Sequence, residues 1–263
     1  MLPLLHRLLP RLTTAERRIL QQLAVFRSAA PVDHWQAEEE ALHALVKQRL
    51  VQRDGQGGLL LLPALRRALY DEMLADLRAR LHREAAQIRA THGEYTAGAY
   101  HLWRAGDENG AVQLWYLHQQ QEVRRGQANA AYAIFREIER HRLKPRTRKA
   151  LDLLQATLLQ YQGNVKQGLA VLAAADWSDP SELAIQARLL EGRFQDELGY
   201  PDAALTSFAA GAATIGRLLD QLTNYHFRAG MAHIRQKENR AAWQALQRAE
   251  YAINALRGNL FEQ

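Results

Sequence analysis

With 263 residues, 48% of them hydrophobic, and no cysteine, the chain can bury one large core or two ordinary ones, and disulfides, thiolate metal sites and thiol nucleophiles are excluded. Leu, Ala, Arg, Gln and Glu dominate while Gly and Pro are sparse, which favours helix over most of the length and leaves strands a minority. The net charge of +6 suits an acidic partner, but the excess fades from +4 over residues 1–90 to +2 over 91–180 and 0 over 181–263, as solvated helix surface also would.

The start, Met1-Leu-Pro-Leu-Leu-His-Arg-Leu-Leu-Pro-Arg-Leu12, is apolar, but Pro3, His6, Arg7, Pro10 and Arg11 interrupt any signal-peptide core. No later stretch stays apolar long enough to cross a bilayer, and a cysteine-free chain fits a reducing interior, so the expected location is cytoplasmic. Thr13 or Thr14 can cap a first helix whose apolar face carries Ile19, Leu20, Leu23, Val25 and Phe26, with Glu16 placed for a capping box. Pro31 opens a second helical region in which Trp35, Leu42, Leu45, Val46 and Leu50 recur at helical spacing. The period then changes: Val51-Gln52-Arg53 and Leu59–Leu62 flank Asp54-Gly-Gln-Gly-Gly58, a loop able to supply the positive φ angles of a tight hairpin. Two helices and a small β wing give residues 1–62 the outline of a winged-helix-like domain.

Residues 63–93 read as one long amphipathic bridging helix through Leu65, Leu69, Met73, Leu77, Leu81, Ala85 and Ile88. From residue 94 to 263 the chain repeats itself. Ala156, Gly192 and Gly230 are each followed after twelve residues by Gly168, Ala204 and Ala242, then by Leu172, Phe208 and Leu246, then by Ala175, Gly211 and Ala249. Offsets of 36 and 38 residues are near a tetratricopeptide unit. The small residues admit a close helix pair and the large one fills the gap, with turns at Gly163-Asn164 and Gly199-Tyr200-Pro201, and Trp177-Ser-Asp-Pro180 closing the first unit. Two weaker units precede, marked by Ala99, Gly106, Ala111 and Trp115 and by Gly126, Ala131, Phe135 and Pro145, sharing the helix around Ala111–Arg125. The expected fold is all-α with a small two-stranded wing: a winged-helix-like domain, then a tetratricopeptide-like α-α superhelix.

Leu42-His-Ala-Leu-Val-Lys-Gln-Arg-Leu-Val51, Leu62-Pro-Ala-Leu-Arg-Arg67, Leu81-His-Arg-Glu-Ala-Ala86 and His101-Leu-Trp-Arg-Ala-Gly-Asp107 followed by Ala111 stand in an informative order. Over nearly the whole chain this order resembles the region after the nucleotide-binding core in the signal-transduction ATPases with numerous domains, especially maltose-regulator-type bacterial transcription activators. The resemblance implies a winged helix joined to a superhelical repeat domain that receives an inducer or a protein. In that family the wing is commonly followed by a His beside the Pro; here Leu62 holds the place and cannot reach a phosphate. No Gly-x-x-x-x-Gly-Lys-Ser/Thr occurs, so the chain is expected to be a fragment or a relative that has lost the nucleotide switch.

No chemistry competes with this reading. There is no His-Glu-x-x-His, no Gly-x-Ser-x-Gly, and no paired carboxylates beyond Glu38-Glu39-Glu40, whose side chains diverge around a helix start. The expectation is therefore no catalytic, metal or cofactor site. His82 and His101 read as surface or hydrogen-bonded core groups, and Trp103 and Trp115 as core filling. The leading function is a protein-interaction and signal-receiving module that takes a protein, a peptide or a small inducer in the superhelix groove. Its candidates on the first helix of each hairpin are Thr157, Gln160, Gln186, Arg193, Asp196, Asn224 and Phe227. A second surface, Arg136, Arg140, Arg142, Lys144, Arg146, Arg148 and Lys149 around the Pro145 turn, is either an acidic-partner patch or a solvated loop. The alternative is a DNA-binding winged-helix transcription factor with a helical-repeat dimerisation or effector domain. Against it, three carboxylates at Glu38–Glu40 open the helix that would meet phosphates. Ala249, Ile253, Leu256 and Phe261 leave an apolar face on the last hairpin, and the expectation is that either a further repeat lost by truncation or self-association with a second copy of the chain covers it.

Overall fold

The computed structural model describes residues 9–235 and 237–261. The apolar start Met1–Leu8 and the side chains of Leu256 and Phe261, on which the expected self-association drew, lie outside what it describes. The protein is 77% helical, and among the described residues the sheet is a single antiparallel pair, as composition requires. It forms two compact units, residues 1–148 and 149–263.

In the first unit, helix α1 (Thr14–Ala24) begins where Thr13 accepts from the Glu16 amide at 3.2 Å and the Glu16 carboxylate accepts from the Thr13 amide at 2.7 Å. This is the expected capping box, satisfying two donors that the helix leaves open. The region after Pro31 starts as a 3-10 turn, Val32–Glu38, kinked at Trp35, and becomes α-helical only in α2 (Glu39–Lys47). Trp35 causes the kink to be kept: it is 1% exposed, and its indole donates to Gln22 Oε1 at 2.8 Å. Strands β1 (Val51–Arg53) and β2 (Leu59–Leu61) pair with Val51 opposite Leu61. Asp54 accepts from the amides of Gln56 and Gly58, and Gly57 takes φ +86°, so the turn residues act as their chemistry dictates.

The bridge is where sequence reading fails. Instead of one helix over 63–93 there are two, α3 (Pro63–Glu72) and α4 (Ala75–Thr91), with Met73 and Leu74 extended between them. A continuous helix would run about 46 Å at 1.5 Å per residue and carry its C-terminal half away from α1. The break instead folds Leu69 and Met73 on one side and Leu81, Ala85 and Ile88 on the other into the same core as Ile19, Leu20 and Leu45. Leu74, at the corner, is left 79% exposed.

Helices α5 (Tyr95–Arg104), α6 (Glu108–Arg124) and α7 (Ala128–Phe135) continue the first unit, α5 packing on α4, α6 and α7. No side chain caps α5 at Glu94; the buried Glu122 of α6 accepts from the Thr96 amide at 2.8 Å instead. Trp115 is fully buried, donates to Thr96 Oγ1 at 2.9 Å and meets Phe135 edge-on, whereas Trp103 is only partly buried. The interval 63–148 therefore belongs to the compact unit of the wing, and the division falls inside α8 (Pro145–Tyr161).

The second unit continues with α9 (Val165–Ala173), α10 (Glu182–Glu197), α11 (Pro201–Arg235) and α12 (Asn239–Phe261). Turns fall at the expected places: Gly163, Gly199 and Lys237 all have positive φ, +75°, +82° and +60°. The close approaches follow the repeat frame. A Cβ on Gly192 would lie 2.3 Å from Phe208, one on Gly230 2.8 Å from Leu246, and one on Gly168 3.2 Å from the Ala156 carbonyl. Gly192 and Gly230 thus each interlock with a large residue sixteen positions on, and Gly168 with a small one twelve positions before it.

Candidate functional site

In the second unit, the glycines of the interlocking pairs, Gly192 and Gly230, are buried, and several large side chains turn outward. Leu189 is 53% exposed, Phe227 53%, Trp243 62% and Tyr251 80%, while Phe194 beside them is fully buried. Of the seven groove candidates, Thr157 is half-buried and donates to its own helix at the Leu153 carbonyl, 2.8 Å away; Gln160 is half-buried too. Gln186 is half-buried and donates to Glu182 at 3.0 Å. Arg193 and Asp196 lie exposed on one turn of α10, and Asn224 and Phe227 exposed on one turn of α11. The first of these pairs puts charges of both signs on the surface of α10, and the second puts an amide and an aromatic on that of α11.

None of the seven lines the open cavity of about 490 Å³ that α11 and α12 form. That cavity is bounded by Leu219, Leu222 and His226 from α11 and by Gln244, Arg248 and Tyr251 from α12. The sequence signal was present as spacing, since 219, 222 and 226, and 244, 248 and 251, each mark one helical face. Counting hairpin positions by analogy from one repeat to the next passed over it.

The basic run is more engaged than its exposure suggests. Arg136 pairs with Glu137 at 3.0 Å, and Arg142 with Glu139 at 3.0 Å and Glu108 at 3.5 Å. Arg148 donates to the carbonyls of Arg140 and Leu143, so it pins the loop that precedes α8. The Lys144 amide donates to Asn109 at 3.0 Å, leaving its ammonium exposed beside exposed Arg146; Arg140 is exposed as well. Lys149 belongs to the second unit: it pairs with Asp179 and lies 5.9 Å from the Trp177 ring centre. The Lys149 hydrogen bond holds the Asp179 carboxyl below its ordinary range. Lys144 and Arg146, both exposed, are cations of the run that an anion can reach.

In the first unit, α3, α4 and α5 bring together a buried chain that residue spacing did not announce. Arg104 donates to the Tyr70 hydroxyl at 2.8 Å, Tyr70 stands 3.0 Å from His82 Nε2, and His82 Nδ1 stands 2.9 Å from His101 Nδ1. A guanidinium only donates, so Tyr70 accepts from Arg104. The two histidine contacts share one tautomer choice: with its proton on Nδ1, His82 accepts from Tyr70 and donates to His101, and with its proton on Nε2 it donates to Tyr70 and accepts from His101. Burial, then the charges of Arg104 and Arg78, lowers the His82 pKa to about 4. Burial, then His82 and Arg89, lowers that of His101 to about 3. Both are neutral near pH 7 and hydrogen-bonded in the core. Among the described residues no three His, Asp or Glu side chains are grouped to hold a metal.

Near the wing, an open groove of about 590 Å³ is walled by Glu38, Glu39 and Glu40 over Ala15, Ala41 and Ala44, an acidic surface at the start of α2. Leu62, 40% exposed, caps α3 without a side-chain hydrogen bond. No helix among the described residues is long and apolar enough to cross a membrane. Set against protein-family models, curated proteins and solved structures, the chain matches none.

Proposed function

We propose that the chain is a non-catalytic protein-interaction and signal-receiving module, a winged-helix-like unit followed by tetratricopeptide-like hairpins, working as part of a regulatory ATPase or a transcription regulator. The observation that carries the reading is the outward display of large side chains on helices whose internal positions are tightly interlocked. Leu189, Phe227, Trp243 and Tyr251 are more than half exposed on a scaffold closed by Gly192–Phe208 and Gly230–Leu246. Exposed apolar groups on a stiff helical frame that also exposes Arg193, Asp196 and Asn224 offer a protein or peptide partner both apolar and polar contacts. DNA binding by the winged-helix unit has less support, because the groove beside α2 is acidic and would repel phosphate.

The test replaces Phe227 with a photo-reactive phenylalanine analogue in the full chain and identifies the captured protein. The purified partner is then titrated against the wild type and Phe227→Asp. A central aromatic contact predicts at least a tenfold weaker Kd for the variant, about 1.4 kcal/mol or more. Equal affinities would remove this surface from the binding reaction.

A further inference from the structure

Helix α11 is continuous over 35 residues, and no residue within it takes a positive φ. It supplies the second helix of one hairpin, closed by Gly192 against Phe208, and the first helix of the next, closed by Gly230 against Leu246. Between the first and second hairpins, by contrast, the chain leaves the helix over residues 174–181 and turns. The consequence is geometric. The second hairpin stacks on the first through Gly168 of α9, whose Cβ would stand 2.8 Å from the ring of Phe194 in α10. Offsets of 36 and 38 residues carry this contact to Ala204 and Ala232. Both lie on α11, 28 residues apart, or about 42 Å along a straight helix, while stacked helices sit about 8–10 Å apart. Within one chain the third hairpin cannot reach the second by the contact that joins the second to the first.

The surfaces that contact would cover are open. On the second hairpin Leu205 is 66% exposed and Phe208 and Ile215 37% each; on the third, Leu222 is 45% exposed and Ala232 is exposed on the same face. Phe227 stands about 140° around α11 from both Leu222 and Ala232, and 22 residues, about 33 Å, along the helix from Leu205, so the two surfaces are separate. Charge matches as well. The second hairpin, residues 181–216, carries five carboxylates against two arginines, and residues 217–263 carry seven cations against four carboxylates. We propose that the face formed by Leu205, Phe208 and Ile215 receives the third hairpin of a second copy of this chain, in a reciprocal exchange that restores the repeat stacking twice across a two-fold axis. A rigid shared helix favours such a swap, because it forbids the closed form and leaves identical contacts to be made between copies. This rests on the repeat frame and not on the partner surface around Phe227.

The natural absence of cysteine makes the test direct. Leu205→Cys and Ala232→Cys are prepared as separate full-length variants, unfolded and refolded together, and treated with a short bis-maleimide. The expected product has twice the chain mass and joins position 205 of one variant to 232 of the other, and the unmodified chain sediments as a dimer that dissociates on dilution. In the double variant the reagent should again link two chains. A single-chain mass up to about 100 μM, or a 205–232 link formed within one chain of the double variant, overturns the proposal. Because the chain alone is measured, either failure leaves the reading of the Phe227 surface standing.

Discussion

Acid should weaken the first unit through two residues, His82 and His101. Both are nearly inaccessible, 1% and 2% exposed, and both have pKa values lowered by folding, to about 4 and about 3 from 6.5. A group depressed in the folded state stabilises above its unfolded pKa and loses that contribution as pH falls, so the loss begins near pH 6.5 and continues toward pH 4 and below. At pH 5 neither histidine is yet protonated in the folded protein, while both are in the unfolded chain. Each then costs about 1.4 kcal/mol for each of 1.5 pH units, or about 4 kcal/mol for the pair, a large share of a typical 5–15 kcal/mol. His92 works in the other direction. The Ile88 carbonyl and then Asp33 raise its pKa, so its contribution is present below 6.5 and lost as pH rises, but Asp33 is half exposed and the offset is within about 1 kcal/mol. Hydrogen exchange of α3, α4 and α5, read peptide by peptide at pH 7.5 and pH 5.0 after correction for intrinsic rates, measures the opening free energy of this unit alone. The expected drop is about 3–4 kcal/mol, and it should nearly vanish in the double variant His82→Gln, His101→Gln even though that variant is less stable throughout. Equal opening energies at the two pH values, or an undiminished drop in the double variant, would refute the reasoning.

Other outcomes follow from packing and charge. Gly192→Ala places a methyl against the Phe208 ring and should cost about 1–3 kcal/mol in urea unfolding, most of it recovered when Phe208→Ala is added. Thr13→Ala removes the cap of α1 and should cost about 1 kcal/mol, with the first unit losing stability and the second unchanged. Lys144→Glu with Arg146→Glu should leave circular dichroism intact, and should weaken and flatten the salt dependence of binding to a polyglutamate peptide if this loop serves acidic partners; unchanged binding returns it to ordinary solvated surface.

What the sequence disclosed and what it hid divide along a physical line. Features decided by a few neighbouring residues were legible: the Thr13–Glu16 box, the Asp54–Gly58 turn, and the left-handed turns at Gly163 and Gly199. The pairing of Gly192 with Phe208 was also legible, because the helical period fixes which residues meet across a hairpin. The break at Met73-Leu74 was not. Neither Gly nor Pro marks it, and the apolar period of four runs straight through; only the demand that Leu69 and Leu81 share one core bends the chain. The buried His82–His101 pair escaped because nineteen residues separate its members on different helices, and tertiary packing alone brings them together. The repeat frame chose Arg193, Asp196, Asn224 and Phe227, which the structure leaves exposed. It missed the cavity at Leu222 and Tyr251, which depends on how α12 lies on α11.

The central claim is that the outward face of the helices in the second unit holds a macromolecular partner. Its most direct measurement is hydrogen exchange of the full chain, free and saturated with the purified protein captured at Phe227. The account predicts protection concentrated in α10 and α11 around Arg193–Asp196 and Asn224–Phe227, with α1, α2 and the wing unchanged. Protection confined to α2 and the wing, with α10 and α11 exchanging as in the free chain, would contradict it.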